Sequence, residues 1–215
     1  MAFRALRQLS VQTDTAEREL DVDGTIRSTC DNAGTLKVCY QPPRKNAVKV
    51  LLLMDFGGSM DYYSNLCSML FQAATKSNTF KELHTFYFHN CVYGELYTQP
   101  AYRYDQTVTT EWLLKNFDAS YKVIIVGDAS MNPAELRDRQ YNWGQGTYGP
   151  SGLEWLDRLK RHFPYLIWLN PKPSPTRLDF WSQTYWQLSR MFDMYPLSVG
   201  GLEQGLRRLM ARRLK

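Results

Sequence analysis

The chain alternates between two hydrophobic periods. "VKVLLLMD" at Val48–Asp55 is continuously apolar until it ends in an acid, the pattern of a strand buried on both faces of a sheet. "YKVIIVGD" at Tyr121–Asp128 repeats that pattern, and "YLIWLN" at Tyr165–Asn170 gives a third strand. Between them the spacing turns helical. Ser64–Lys76 places Leu66, Met69, Leu70, Ala73 and Ala74 on one stripe, and a short helix follows Thr110 in "TEWLLKNF". "NPAELRDR" opens a helical turn with Pro133 where a missing N–H costs nothing. Further helices are predicted at "LEWLDRLKRHF", near Leu178–Met191, and at the end, where Leu202, Leu206, Leu209 and Met210 share a face. "HTFYFHNCVYGELYT" supplies two β-rich runs around Gly94, a strand turning into a hairpin partner. "YNWGQGTYGPSG" and "NPKPSP" read as loops.

Strands alternating with helices predict an α/β fold: a Rossmann-like, doubly wound, mostly parallel sheet with one antiparallel edge strand and helices on both faces. Residues 1–45 read as a helical or extended lead-in and residues 46–215 as the sheet domain. In open sheets of this kind, ligands bind beyond the carboxyl ends of the strands. Asp55 and Asp128 both stand at such ends, so one edge presents two acids.

Composition narrows the class. With 44% hydrophobic and 14% aromatic residues, the chain can fill a core and is not a disordered tail. No run approaches the roughly 18–20 apolar residues of a membrane span. The start, "MAFRALRQLSVQTDTAEREL", lacks the apolar centre of a secretory signal and reads as a chain entered partway through a helix of a longer protein. A cytoplasmic location is the expectation. Cys30, Cys39, Cys67 and Cys91 show no paired spacing and read as buried, reduced thiols, with Cys39 and Cys91 in strands and Cys67 on a helix face. Three histidines and no HExxH motif argue against zinc. The net charge of +5 gathers at the end, in Arg207, Arg208, Arg212, Arg213 and Lys215. A solvated helix face explains it without a nucleic-acid partner.

The strand-end acids gain meaning from their neighbours. "LLLMDFGGSM" follows Asp55 with a glycine turn carrying Ser59, and "QTVTTEW" offers threonine hydroxyls from a second loop. With Asp128 these form an all-oxygen set, which suits a hard divalent cation such as Mg²⁺. Glycines let such a turn fold closely around an ion.

"LLLMDFGGSM" also resembles the first loop of the metal-ion-dependent adhesion site of von Willebrand factor A domains, Asp-x-Ser-x-Ser, with Asp55 and Ser59 at its first and last positions. "IIVGDASM" resembles the later loop that contributes an acid, here Asp128. The intervening threonine corresponds to Thr110, with Thr107 the alternative. "VKVLLLMDFGGSMD", "FYFHNCVY", "YKVIIVGDASM" and "IWLNPKP", taken in order, resemble the bacterial CoxE-like group of these proteins from about Leu20 onward. The resemblance implies a von Willebrand A fold, bound Mg²⁺ or Mn²⁺, and a non-enzymatic interaction module that receives a partner's acidic residue. It further implies a MoxR-type AAA+ ATPase as partner, in assembly of a complex or metal centre. One position departs: Gly57 stands where the motif has its first serine, and Asp61 or water is the candidate replacement.

Other motifs have plainer readings. "LDVDGTI" has the Asp-x-Asp-Gly-Thr order of haloacid-dehalogenase phosphatases, the alternative function. That chemistry needs Asp21 at the end of a buried strand, and "TAERE" before it cannot make one. Asp23-Gly24 reads instead as a turn and Thr25 as the start of a short helix. His84 and His89 read as packing or edge hydrogen bonds, and His162 as a helix C-terminal residue. "WGQGTYG" at Trp143–Gly149 lacks a phosphate-loop lysine and reads as a mobile loop near the metal edge.

Overall fold

A computed structural model describes residues 10–12, 18–41, 44–46, 48–76, 80–101, 103–142 and 146–211. The lead-in contains strands β1 (Ser10–Gln12) and β2 (Glu19–Leu20), helix α1 (Val22–Asp31), and strands β3 (Tyr40–Gln41) and β4 (Arg44–Asn46). β1 pairs with β4 and β2 with β3, both antiparallel. The main sheet then begins with β5 (Lys49–Asp55), followed by a 3-10 turn at Gly58–Tyr63 and helix α2 (Ser64–Lys76). β6 (Glu82–Phe88), β7 (Glu95–Tyr97) and β8 (Thr107–Thr109) lead into α3 (Thr110–Asn116) and β9 (Lys122–Val126). α4 (Pro133–Arg137), the hairpin β10 (Arg139–Asn142) and β11 (Thr147–Ser151), and α5 (Gly152–His162) come next. The chain continues with β12 (Leu166–Asn170), α6 (Gln183–Met191), β13 (Asp193–Pro196) and α7 (Val199–Met210).

Seven strands form one sheet in the order β13-β12-β9-β5-β6-β7-β8. β13, β12, β9, β5 and β6 are mutually parallel, whereas β7 runs antiparallel to both β6 and β8. The expected mixed α/β sheet is present, and its antiparallel strand lies one place in from the edge. "TVT", expected to be loop, is the outermost strand β8, because Thr107, Val108 and Thr109 pair with Tyr97, Leu96 and Glu95 of the hairpin strand β7.

The continuous apolar runs follow from burial on both faces. Leu51, Leu53, Val123, Ile125 and Trp168 point to one core, packed with Leu113, Leu136, Trp155, Leu156, Leu159 and Leu188 from α3, α4, α5 and α6. Leu52, Ile124, Val126, Ile167 and Leu169 point to the other, against Leu202, Leu206 and Leu209 of α7. The terminal helix therefore forms as expected, with Arg207 paired to Glu203 and Arg208 to Asp193 on its outer side. Arg212, Arg213 and Lys215 lie outside the described residues.

Local caps set the helix starts. Asn132 with Glu135, and Ser151 with Glu154, form reciprocal capping boxes for α4 and α5, and Pro133 occupies the first helical position as expected. Ser198 Oγ accepts the Gly201 N–H at the start of α7. A Cβ on Gly201 would overlap the Pro196 carbonyl oxygen. Gly201→Ala is therefore expected to cost about 1–3 kcal/mol through overpacking. A lowered urea midpoint at unchanged slope checks it.

Four expectations are corrected. On α2, Leu66 and Met69 of the expected stripe are exposed, Met69 by 72%, and Cys67 points inward instead; the side chains of Leu70, Ala73 and Ala74 lie outside the described ones. The helix leaves an apolar cleft of about 730 Å³ against the sheet, lined by Leu52, Met54, Met60, Leu83 and Tyr87. "TYGPS", read as loop, is strand β11, paired with β10; Trp143, Gly144 and Gln145 lie outside the described residues. The helix expected near Leu178 begins at Gln183, after a turn in which Ser182 Oγ donates to the Arg177 carbonyl. Among the thiols, Cys67 and Cys91 are buried, but Cys30 is exposed on α1 and Cys39 half-buried just before β3.

Candidate metal centre at the carboxyl rim

Four parallel neighbours, β6, β5, β9 and β12, end on the same rim, and each delivers a polar group there. β5 ends in Asp55, which is only 7% exposed. Its Oδ1 accepts the Asn90 N–H at 2.9 Å, from the turn after β6. Asn90 holds a left-handed backbone, φ +58°, and its Nδ2 donates to Glu135 Oε1 at 3.1 Å. Burial, opposed by the Asn90 N–H and reinforced by the charge of Asp128, pushes the Asp55 carboxyl up to about 8.

Asp128 follows β9 and is also buried. Ser59 Oγ donates to its Oδ2 at 2.5 Å, and the Ser130 N–H donates to Oδ1 at 2.9 Å. Lys172 Nζ lies 2.7 Å from the same Oδ2. Burial raises this carboxyl, but the Lys172 and Ser59 hydrogen bonds outweigh it and hold the group below the usual carboxylate range. Behind the rim, Trp168 Nε1 donates to the Gly127 carbonyl at 2.7 Å, and Asn170 Nδ2 to the Asp128 carbonyl at 3.0 Å. Thr184 Oγ1, from α6, donates to the carbonyls of Ala129 and Met131.

Asp55, Ser59 and Asp128 thus converge from two separate loops. Gly57, at φ +80°, contributes the tight turn and no side chain, and its carbonyl accepts the Met60 N–H. Asp61 is exposed on the 3-10 turn, where its carbonyl accepts Ser64 Oγ. Thr110 is fully buried at the first position of α3, and its hydroxyl donates to the Tyr93 carbonyl. Thr107 sits in β8 opposite Tyr97. Two carboxylates and a hydroxyl at one place are the donor chemistry of a hard divalent cation. Asp55, Ser59 and Asp128 offer oxygens of that type and Gly57 offers none from its side chain, while among the described residues no group of three His, Cys, Asp or Glu side chains gathers as a metal cluster.

Sequence reasoning missed Asn90, Glu135 and Lys172. A usable signal existed for two of them: "HN" and "NPK" directly follow the ends of strands adjacent to β5 and β9. Glu135 carried only the signature of a capping box.

Residues 1–94 match the family model of the VWA domain containing CoxE-like proteins. The match supports a CoxE-like von Willebrand A domain. The seven-stranded, mostly parallel sheet is consistent with that fold. The matched CoxE-like stretch includes Asp55, Gly57, Ser59 and Asp61 and ends before Thr107, Thr110, Asp128 and Lys172. No curated protein and no solved structure matches the chain. The von Willebrand A family points to a protein-interaction module. Among the described residues, no helix is long and apolar enough to cross a membrane.

The remaining candidates have local roles. Asp21 follows a two-residue, exposed strand and caps α1 by accepting the Gly24 N–H, so the phosphatase reading finds no buried strand there. α1 itself starts at Val22, earlier than Thr25. His89 Nδ1 bonds the Phe56 carbonyl, His162 Nε2 the Phe117 carbonyl, and His84 packs on the Phe117 ring.

Proposed function

We propose that this protein is a metal-dependent interaction module in which Asp55, Ser59 and Asp128 hold a Mg²⁺ or Mn²⁺ ion. The observation that carries the reading is the convergence of these three side chains at the rim, Ser59 bonded to Asp128 beside the buried Asp55. When bound, the ion supplies an open coordination position for a carboxylate presented by a partner. Asn90 fixes the orientation of Asp55, and Ser130 and Ser59 fix that of Asp128. The partner's class follows from the family resemblance: a MoxR-type AAA+ ATPase, with the pair acting in assembly or maturation of a complex or metal centre.

Calorimetric titration with MgCl₂ and MnCl₂ tests the ion. Binding that disappears in Asp55→Ala is the expected result; no heat above millimolar metal rejects the reading. Copurification from the native host in magnesium tests the partner, and absence of an ATPase rejects that part.

A further inference from the structure

We propose that Lys172 is a tethered counter-ion that competes with the divalent cation for Asp128 and must swing out before the cation binds. This rests on the cation reading above and names what regulates it. The Lys172 ammonium lies 2.7 Å from Asp128 Oδ2 and 3.2 Å from Ser130 Oγ. The Oδ2 it touches is the one that also accepts Ser59 Oγ. Ammonium and hydroxyl therefore meet on a single oxygen, one that a cation shared by Asp128 and Ser59 would have to take.

The root of Lys172 is fixed through its backbone, whereas its tip is held, among the described residues, only by Asp128 and Ser130 at the rim. Its N–H donates to Asn170 Oδ1 at 2.8 Å, and the buried Asn170 in turn holds the Asp128 carbonyl. Prolines flank it on both sides in "NPKP". The side chain is 37% exposed, so its flexible four-carbon stem has a path to solvent. A divalent ion and an ammonium on one carboxylate oxygen repel each other strongly in a partly buried site, where screening is weak, and so compete for it. Without metal, the lysine satisfies Asp128; with metal, it is expelled. The lysine thereby sets the cation concentration at which the module becomes competent for its partner.

The test is MnCl₂ calorimetry at pH 7 on the wild type, Lys172→Met and Asp55→Ala, with folding checked by circular dichroism. Methionine keeps the stem and removes the charge. Lys172→Met is expected to bind at least tenfold tighter than wild type, or to bind where the wild type does not. Loss of a purely structural ion pair would weaken binding, so the sign separates the two roles. Equal or weaker binding by Lys172→Met overturns the inference, and wild-type binding abolished in Asp55→Ala then leaves the cation reading standing. No binding by either the wild type or Lys172→Met overturns both. Should that variant fail to fold, amine acetylation of the wild type read by peptide mass spectrometry decides. Lys172 labelling is expected to rise several-fold on adding MnCl₂ while exposed Lys115 stays constant; unchanged Lys172 labelling overturns the inference.

Discussion

Asp55→Asn is expected to melt above the wild type at pH 7–8 in a chelating buffer, and at the same temperature near pH 4. The sign follows from proton linkage. Burial holds the folded carboxyl near 8, against 3.8 for the unfolded group. Between those values the folded state binds the proton and the unfolded state does not, so stability falls as pH rises. Below about pH 4 both states are protonated and the penalty vanishes. At pH 7 the interval spans about three pH units at roughly 1.4 kcal/mol each, up to about 4 kcal/mol. At about 2–4 °C per kcal/mol for a chain of this size, the midpoint difference approaches 10 °C. Asparagine keeps the oxygen that accepts the Asn90 N–H and cannot ionise. The same substitution is expected to erase any rise in midpoint produced by MnCl₂. Parallel pH profiles for the two proteins between pH 4 and 8 would count against the buried-acid account.

The second large effect belongs to Trp168→Ala. Trp168 is 1% exposed, packs on Phe192 with ring centroids 5.8 Å apart, and donates its indole N–H to the Gly127 carbonyl. Truncation removes the packing and leaves a cavity, at a cost of about 3–5 kcal/mol. It also strips the Gly127 carbonyl of its partner, a further penalty for a buried acceptor. The urea midpoint should fall with little change in slope. Trp168→Phe retains most of the volume without the donor, and its loss should be the smaller. Because Gly127 immediately precedes Asp128, the proposed Mn²⁺ affinity should drop more in Trp168→Ala than in Trp168→Phe. Affinities unchanged from the wild type in both variants would show that the indole supports the core alone.

The sheet was legible because its strands are buried on both faces, which leaves an unbroken apolar run in "VKVLLLMD" and "YKVIIVGD". Short strands were not. β8 and β11 carry threonine, glycine and proline, and only their pairing with β7 and β10 makes them strands. α2 misled for a different reason. Its spacing marks an apolar stripe, but spacing does not say whether the stripe meets the sheet, and Leu66 and Met69 face outward. At the rim, Asp55 and Asp128 were visible as strand ends because acids interrupt apolar runs. Lys172 and Asn90 also stand at strand ends, in "NPK" and "HN", but only the strand order β12-β9-β5-β6 reveals that those ends flank the acids. Thr110 shows the converse: a hydroxyl suitable by type is already engaged by the Tyr93 carbonyl.

Directly beside the two acids, the backbone turns left-handed at residues other than glycine: Asn90, whose amide meets Asp55, and Ala129, next to Asp128. Such conformations cost energy on their own and persist only where surrounding bonds over-determine them, as Thr184 does at the Ala129 carbonyl. The main chain that meets Asp55 and follows Asp128 is therefore held in place by its own bonds. A ligand arriving at this rim has the Lys172 and Ser59 side chains to displace from Asp128, but no loop to refold.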